Sequence, residues 1–265
     1  TTKGWELSVD FRHRFSNGFG LNVNAYISDA KTKYTKINSD SRAINGVYEG
    51  KEYGEIWGYE TDRFFTAEDF DTDPNGKLVL KEGIPSQSYY ETNGWFFYGP
   101  GDIKYKDLDK NGSITPGDNT VENPGDQKRI GNTSPRYEYG ARVDMDWKGF
   151  DLGIFIQGVG KRELWGSGSL VIPGFNYLEA WYTHQLDYWT PENPNAFYPR
   201  LSNTGQSNNT QNFLRQTKYL LNMAYCRLKN VTFGYTLPSA LTHKARISKL
   251  RLYVSLENIF ELDHL

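Results

Sequence analysis

Trp5-Glu-Leu-Ser-Val-Asp-Phe-Arg-His-Arg-Phe15 is the stretch on which the fold turns. Apolar side chains stand at 5, 7, 9, 11 and 15, and charged or polar ones at 6, 8, 10, 12 and 14. A period of two marks a strand with one apolar and one polar face. Ser16-Asn17-Gly18 follows, and Asn-Gly favours a hairpin turn because both residues tolerate positive φ. Beyond it Phe19, Leu21, Val23, Ala25 and Ile27 alternate with Gly20, Asn22, Asn24, Tyr26 and Ser28. The pattern predicts a hairpin over about 5–28.

The same pattern recurs twice. Tyr137, Tyr139, Ala141, Val143, Met145 and Trp147 alternate with Arg136, Glu138, Gly140, Arg142, Asp144 and Asp146. Lys148-Gly149 turns the chain, and Phe150, Leu152, Ile154 and Ile156 resume the apolar face to about 158. A third pair is expected over about 224–260, where Val231, Phe233, Tyr235 and Leu237 run up to Pro238 and Leu250, Leu252, Val254 and Leu256 follow. Cys226 and Leu228 fall on the opposite parity to Val231, which calls for a bulge between them. The connections alternate short, long, short, long, short, with long segments at about 29–134 and 158–222. Short turns at one end and long loops at the other characterise an outer-membrane barrel. A strand of about 11 residues is ~36 Å long and, tilted ~45°, spans the ~25 Å apolar band of such a barrel.

The polar faces carry Glu6, Asp10, Arg12 and Arg14, then Arg136, Glu138, Arg142, Asp144 and Asp146. Such a face cannot be a dry core, because unpaired buried charge is expensive. The apolar face then meets either lipid or a second sheet. Trp5, Phe15, Phe19, Trp147 and Phe150 are placed near strand ends, where interfacial aromatic girdles sit. Six strands are too few to close a membrane barrel, whose minimum is about eight, so the chain reads as part of a larger one. It opens on TTKGWELSVD, which is no signal peptide.

Composition sets the outer bounds. The 265 residues are 37% hydrophobic and 15% aromatic, with a mean hydropathy of -0.69. No run reaches the ~18 apolar residues of a spanning helix, and the aromatic content argues against disorder. Thirty Lys and Arg against 32 Asp and Glu leave a net charge of -2, so no basic field points to nucleic acid. The single Cys226 has no internal disulfide partner, and no Cys/His zinc spacing exists.

One stretch has the spacing of a metal loop. Residues 107–118 fit the calcium-loop pattern D-x-[DN]-x-[DN]-G with a carboxylate at position 12. Asp107, Asp109 and Asn111 would offer side-chain oxygens, Ser113 its backbone carbonyl, Thr115 a water-mediated contact and Asp118 the closing carboxylate. Hard oxygen ligands on a flexible loop suit Ca²⁺. Asp at position 12 reaches less far than Glu, and Pro116 disfavours a flanking helix. A metal-free Asx-turn hairpin accounts for the same residues. No catalytic constellation stands out. His13, His184, His243 and His264 are scattered, and the acidic pairs Glu60/Asp62 and Glu68/Asp69 read as solvated loop charges before glycosidase acids. The aromatic stretch 175–200 offers rings for sugar stacking, although packing of an ordered loop explains them more cheaply. A short helix is expected over 179–189, with Ala180, Thr183, His184 and Asp187 on one side, and Pro191, Pro194 and Pro199 hold an extended segment after it.

Several motifs, taken together, resemble the SusC/RagA family of TonB-dependent transporters from the Bacteroidota outer membrane. They are Gly101-Asp-Ile-Lys-Tyr-Lys-Asp-Leu-Asp-Lys-Asn-Gly112, Arg129-Ile-Gly-Asn-Thr-Ser-Pro-Arg-Tyr137, Lys148-Gly-Phe-Asp-Leu152 and Phe155-Ile-Gln-Gly-Val-Gly160. Tyr188-Trp-Thr-Pro-Glu-Asn-Pro-Asn-Ala196 with Tyr198-Pro-Arg200, Leu228–Pro238 and Leu250–Phe260 complete the match, whose order holds from about 95 to 260. The resemblance implies an all-β chain, an antiparallel transmembrane segment of a plugged barrel of about 22 strands. The plug, the TonB box and the closing strand would lie outside this stretch. It also implies a SusD-like surface lipoprotein as lid, import of oligosaccharides or peptides, and energy from the inner-membrane TonB system. No enzymatic role follows from it, and a scaffold or assembly role for a family member stays open. The alternatives are a soluble, Ca²⁺-stabilised glycan-binding module, which needs a second sheet over the apolar faces, and a glycoside hydrolase, which needs two carboxylates in a cleft.

Overall fold

The computed structural model describes residues 1–91, 96–175, 180–201 and 211–263. The chain divides into two units, Thr1–Lys33 with Thr133–Glu163 and Asn222–Leu265, and Tyr34–Asn132 with Leu164–Leu221.

The first unit is one antiparallel sheet. Its strands are β1 (Thr2–Arg14) and β2 (Gly20–Thr32), then, after β3 to β8 of the second unit, β9 (Arg136–Trp147) and β10 (Phe150–Lys161), and finally β13 (Tyr225–Thr236) and β14 (Arg251–Asp263). Their spatial order is β1-β2-β9-β10-β13-β14, so every strand lies beside its neighbour in sequence among these six. Register carries the alternation across the sheet. Phe11, Val23, Val143, Ile154, Val231 and Leu256 form one continuous row, and Arg12, Asn22, Asp144, Gly153, Thr232 and Ser255 form the next. The two-residue turn between β9 and β10 places both Lys148 (φ 49°) and Gly149 (φ 88°) in the left-handed region, as a tight hairpin requires.

The expected bulge sits at Lys229. Leu228 pairs with Ile156 and Asn230 with Phe155, so one residue of β13 is passed over. Cys226 and Leu228 thereby return to the face of Ile154 and Val231.

The apolar face has no covering layer in this unit. Leu7 is 57% exposed, Phe233 51% and Val254 63%. Aromatic rings gather at the short-turn end. Phe15 lies 5.8 Å from Phe19, Phe150 lies 4.5 Å from Tyr235 and 5.8 Å from Phe233, and Trp147 donates its indole N–H to the Asn17 carbonyl. Trp5 stands within β1 rather than at its end.

The second unit holds the packed core. Its strands are short: β3 (Glu55–Tyr59) with β8 (Gln127–Asn132), β4 (Thr61–Phe64) with β7 (Ile103–Tyr105), and β5 (Phe70–Thr72) with β6 (Leu78–Leu80). A further pair is β11 (Glu163–Trp165) with β12 (Leu220–Asn222). One cluster joins Tyr59, Ile103, Tyr105, Ile114, Ile172, Tyr198, Phe213 and Tyr219, and a smaller one joins Phe65, Phe70, Phe96 and Tyr98.

Buried amides tie the segments of this unit together. Gln87 donates to the Ile103 carbonyl (3.0 Å) and accepts from the Tyr105 N–H (2.7 Å), standing in for a strand neighbour of β7. Asn212 accepts from the Ile103 N–H (2.8 Å) and donates to Asp102 (2.9 Å). Each of these polar groups is buried and satisfied, as a stable interior requires.

The expected helix over 179–189 is confined to a 3₁₀ turn at Thr183–Leu186. The Tyr182 N–H donates to Gln185 Oε1 (3.0 Å), and Gln185 is buried with its amide on the Ser169 carbonyl (2.6 Å). That inward tie ends the turn early. Glu179 of the expected helix and residues 176–178 of the aromatic stretch lie outside the described residues, as do His264 and Leu265.

Candidate functional site

Three places carry chemistry: the polar face of the sheet, the acidic loop and a cleft among the loops.

On the polar face, opposite charges pair across strands. Arg14 meets Asp146 at 2.9 Å, Arg251 meets Asp151 through two hydrogen bonds, Arg227 meets Glu261 at 2.7 Å, and Asn24 donates to Asp10 at 2.5 Å. Glycine makes this possible: a side chain at Gly20 would displace the Arg14–Asp146 pair, and one at Gly234 the Arg251–Asp151 pair. A groove of about 690 Å³ runs over the face, bordered by Arg12, Arg14, Arg142, Asp144, Asp151 and Arg251. The result is a charged surface on which exposed ion pairs contribute little stability of their own.

In the acidic loop, Asp107 accepts from the N–H groups of Asn111 (3.2 Å) and Gly112 (2.8 Å). Asp109 accepts from the Asn111 N–H (3.1 Å), and Asn111 Oδ1 accepts from the Ser113 N–H (2.8 Å). Gly112 adopts φ 83°, as the sharp turn demands. Asp118 does not join this group; its carboxylate accepts from Asn123 Nδ2 at 2.9 Å. The third carboxylate is Asp126, whose oxygen lies with those of Asp107 and Asp109 within 4.8 Å of one another. Asp126 also accepts from the N–H groups of Leu108 (2.7 Å) and Thr115 (2.8 Å), which closes the loop on itself. Burial pushes the Asp126 carboxyl above its ordinary range, and the charges of Asp109 and Asp107 add to the effect. Sequence spacing missed Asp126 because the contact arises from the return of the chain through 115–126, outside the twelve-residue pattern.

Of the acidic pairs weighed as glycosidase candidates, Glu60, Asp62 and Asp69 are each engaged with cations. Glu60 pairs with Lys106 and Lys128, whose hydrogen bonds hold its carboxyl below the usual range. Asp62 pairs with Lys104 (3.1 Å) and Asp69 with Arg63 (2.6 Å). His184 Nε2 lies 2.9 Å from the Leu170 carbonyl.

The third place is a cleft of about 950 Å³ between β4, the segment 189–196 and Lys218. The aromatic stretch divides here. Tyr198 is buried and stacks with Tyr219 at 5.9 Å, whereas Trp189 lines the cleft and packs against Gly101 (φ 88°), where any side chain would collide with its ring. Lys218 lies over three rings, 5.0 Å from Phe64, 5.4 Å from Phe197 and 5.6 Å from Tyr219. Burial lowers its affinity for a proton. Only Tyr219 is a neighbour in sequence; Phe64 and Phe197 come from two distant segments, so the local sequence around Lys218 does not signal the cluster.

Sequential antiparallel strands, an uncovered apolar face, an ion-paired polar face, and short connections at one end against long ones at the other define the wall of an antiparallel β-barrel. No helix among the described residues is long and apolar enough to cross a membrane, which has no bearing on strands. The comparisons with known proteins agree with that class. The chain is 26% identical, over 97% of its length, to TonB-dependent receptor P3 of Formosa agariphila, of which it spans 24%. The structure of the RagAB peptide transporter matches the whole chain with a TM-score of 0.63 at 16% identity, over 26% of that protein's chain. No family model matches. The chain thus spans about a quarter of the length of these relatives, and it shares the β-barrel fold of a TonB-dependent, SusC/RagA-type transporter, as the motifs at 95–260 implied. The relatives are a receptor and a transporter, not enzymes.

Proposed function

We propose that the chain forms part of the barrel wall and outer loops of an outer-membrane, TonB-dependent importer in a Gram-negative bacterium of the Bacteroidota. The observation that carries this reading is the sheet, with six strands of 12 or 13 residues and an apolar face exposed in row after row. Strands of that length, tilted ~45°, reach across the ~25 Å apolar band of such a barrel. Outer-membrane lipid then covers the apolar face, and the ion-paired face lines the lumen. Further strands of a barrel of about 22 would continue from the outer edges of β1 and β14. A SusD-like lipoprotein would close the loop side, and oligosaccharides or peptides would be the cargo. Transport work then comes from TonB acting on a plug outside this stretch, and the residues described here supply wall, lining and loops.

Ca²⁺ in the acidic loop belongs to the same reading, with Asp126 in the place expected of Asp118 beside Asp107, Asp109 and Asn111. A cation would relieve the repulsion among three carboxylates and brace the loop. Added Ca²⁺ should slow proteolysis between 107 and 126, a chelator should reverse this, and Asp109→Ala should abolish the difference. Proteolysis indifferent to Ca²⁺ would leave a metal-free Asx-turn.

The decisive experiment is cryo-EM of the full-length protein extracted in mild detergent, together with its co-purifying subunits. Lipid-facing strands at 2–32, 136–161 and 225–263 beside a lipoprotein lid are expected. A second sheet packed over those apolar faces in a water-soluble particle would overturn the reading.

A further inference from the structure

Within the loop unit, the cleft beside β4 has an unbalanced charge. Asp62 and Arg63 on its border are matched by Lys104 and Asp69 respectively. Lys218 is not: among the described residues no carboxylate comes within ion-pair distance of its ammonium. Asp187 acts on it only from further away and already accepts from Asn193 Nδ2 (3.1 Å) and the Phe197 N–H (3.1 Å). The three rings around Lys218 compensate part of its desolvation through cation–π attraction. They supply no counter-charge, so the cleft retains one net positive charge at its wall.

The rest of the lining says what kind of anion fits. Trp189 presents an indole ring held rigid against Gly101, and neither its ring N–H nor the Asn195 amide has a hydrogen-bond partner among the described residues. Pro191 and Pro194 border the cleft from two successive turns, closed by the Asn193 N–H on the Thr190 carbonyl (3.0 Å) and the Ala196 N–H on the Asn193 carbonyl (3.4 Å), where the prolines predict an extended segment. A flat ring, an outlying N–H, a free amide and a cation suit a sugar ring bearing a carboxylate. The ring face stacks on the indole, the hydroxyls meet the amide and the N–H, and the carboxylate meets Lys218. The free donors belong to side chains, while β4 spends its backbone groups on pairing with β7 and on Thr217. That favours a sugar over an extended peptide, which is usually captured along a strand edge.

We infer that this cleft is a subsite for acidic oligosaccharides, with Lys218 as the carboxylate-binding residue and Trp189 as the stacking platform. The inference rests on the reading of the chain as the ligand-handling part of an importer, and it narrows the cargo.

The test uses the full-length receptor in detergent and a panel of oligogalacturonides and oligoglucuronides, each beside its neutral carboxyl-reduced counterpart. Wild-type receptor should retain at least one acidic oligosaccharide and bind its reduced form at least about tenfold more weakly, as loss of a charge-assisted contact implies. Lys218→Met, which keeps the aliphatic packing, should lose the same factor for the acidic ligand and change nothing for the reduced one, and Lys218→Arg should recover most of it. Should Lys218→Met disturb the cleft, seen as faster hydrogen exchange over 59–66 and 187–198, the wild-type comparison of acidic and reduced ligands still decides. Equal binding of both forms, equal binding by Lys218→Met in an intact cleft, or retention of acidic peptides alone would overturn the inference. TonB-dependent uptake is measured separately. An importer that takes up only neutral glycans or peptides removes this subsite and keeps the transporter, whereas a protein outside the outer membrane removes both.

Discussion

Asp69 is buried at the last residue of the short helical turn Ala67–Asp69, and it accepts two hydrogen bonds from Arg63 at 2.6 Å each and one from the Thr66 N–H at 2.8 Å. The Arg63 hydrogen bonds hold its carboxyl down at about 2, against an ordinary 3.8. Taken at face value that shift is worth roughly 2 kcal/mol. The Arg63 side chain is 42% exposed, so screening reduces it to about 1 kcal/mol. Because the folded-state carboxyl is depressed, its contribution is present above about pH 4 and is lost as pH falls toward about 2. Asp69→Asn should therefore cost about 1 kcal/mol of local stability at neutral pH. Hydrogen exchange over 63–72, corrected for intrinsic rates, should show wild type loosening between those two pH values while the variant stays flat. Asp102 behaves oppositely. Burial raises its carboxyl despite Arg200 at 2.7 Å and Asn212 at 2.9 Å, so it serves as a structural knot and is poorly suited to be an ionic switch.

The most telling element is β13, because one residue sets which way a third of it points. Lys229 is passed over in the pairing with β10 and again in that with β14. Before it, Cys226 and Leu228 are out of phase with Val231 by sequence count and in phase by structure. Deleting Lys229 should restore plain alternation and turn Cys226 from the apolar to the polar face. A hydrophilic maleimide applied to membranes should label Cys226 slowly in wild type and at least about tenfold faster in the deletion variant, provided the lipid-facing reading holds. Equal labelling would mean that the bulge does not govern the face. Strand β7 makes the converse point. With β4 on one side only, it takes its second set of backbone partners from the side chains of Gln87 and Asn212.

At the scale of the molecule, two surfaces of one sheet live under opposite rules. Ile154 lies in the middle of the apolar rows, and Thr232 lies beside Gly153 on the polar face. Ile154→Arg should cost about 2–4 kcal/mol if that face meets the hydrocarbon core, and Thr232→Arg less than about 1 kcal/mol. Urea titration of the full-length protein in lipid vesicles, read by the heat-modifiable gel shift of folded barrels, measures both. Similar costs at the two positions would mean that both faces meet water. The loop unit follows the rules of an ordinary interior instead. Its stability comes from Phe65, Ile103, Tyr105 and Ile114, fully buried, and from side-chain amides that satisfy buried backbone and hydroxyl groups.

Alternation of side chains was enough, from sequence, to locate six strands in three hairpins, the two faces and a bulge before Val231; the order in which the hairpins pair came from the structure. These features are local or follow from a period of two, and strand pairing repeats them without alteration. The motifs at 95–260 were enough to point to the kind of transporter whose fold the chain shares. Sequence could not show that the packed core lies in the long connections, because Phe65 meets Tyr98, and Tyr198 meets Phe213, only after the chain has folded back several times. Nor could it show Gln87, Gln185 and Asn212 as interior residues, since polar side chains in a long loop read as solvated. The replacement of Asp118 by Asp126 beside Asp107, and the cage of rings around Lys218, are likewise contacts between segments far apart in sequence. Period and motif record what each residue prefers on its own strand or turn; which distant groups share a site is settled by packing, and only the tertiary structure holds that information.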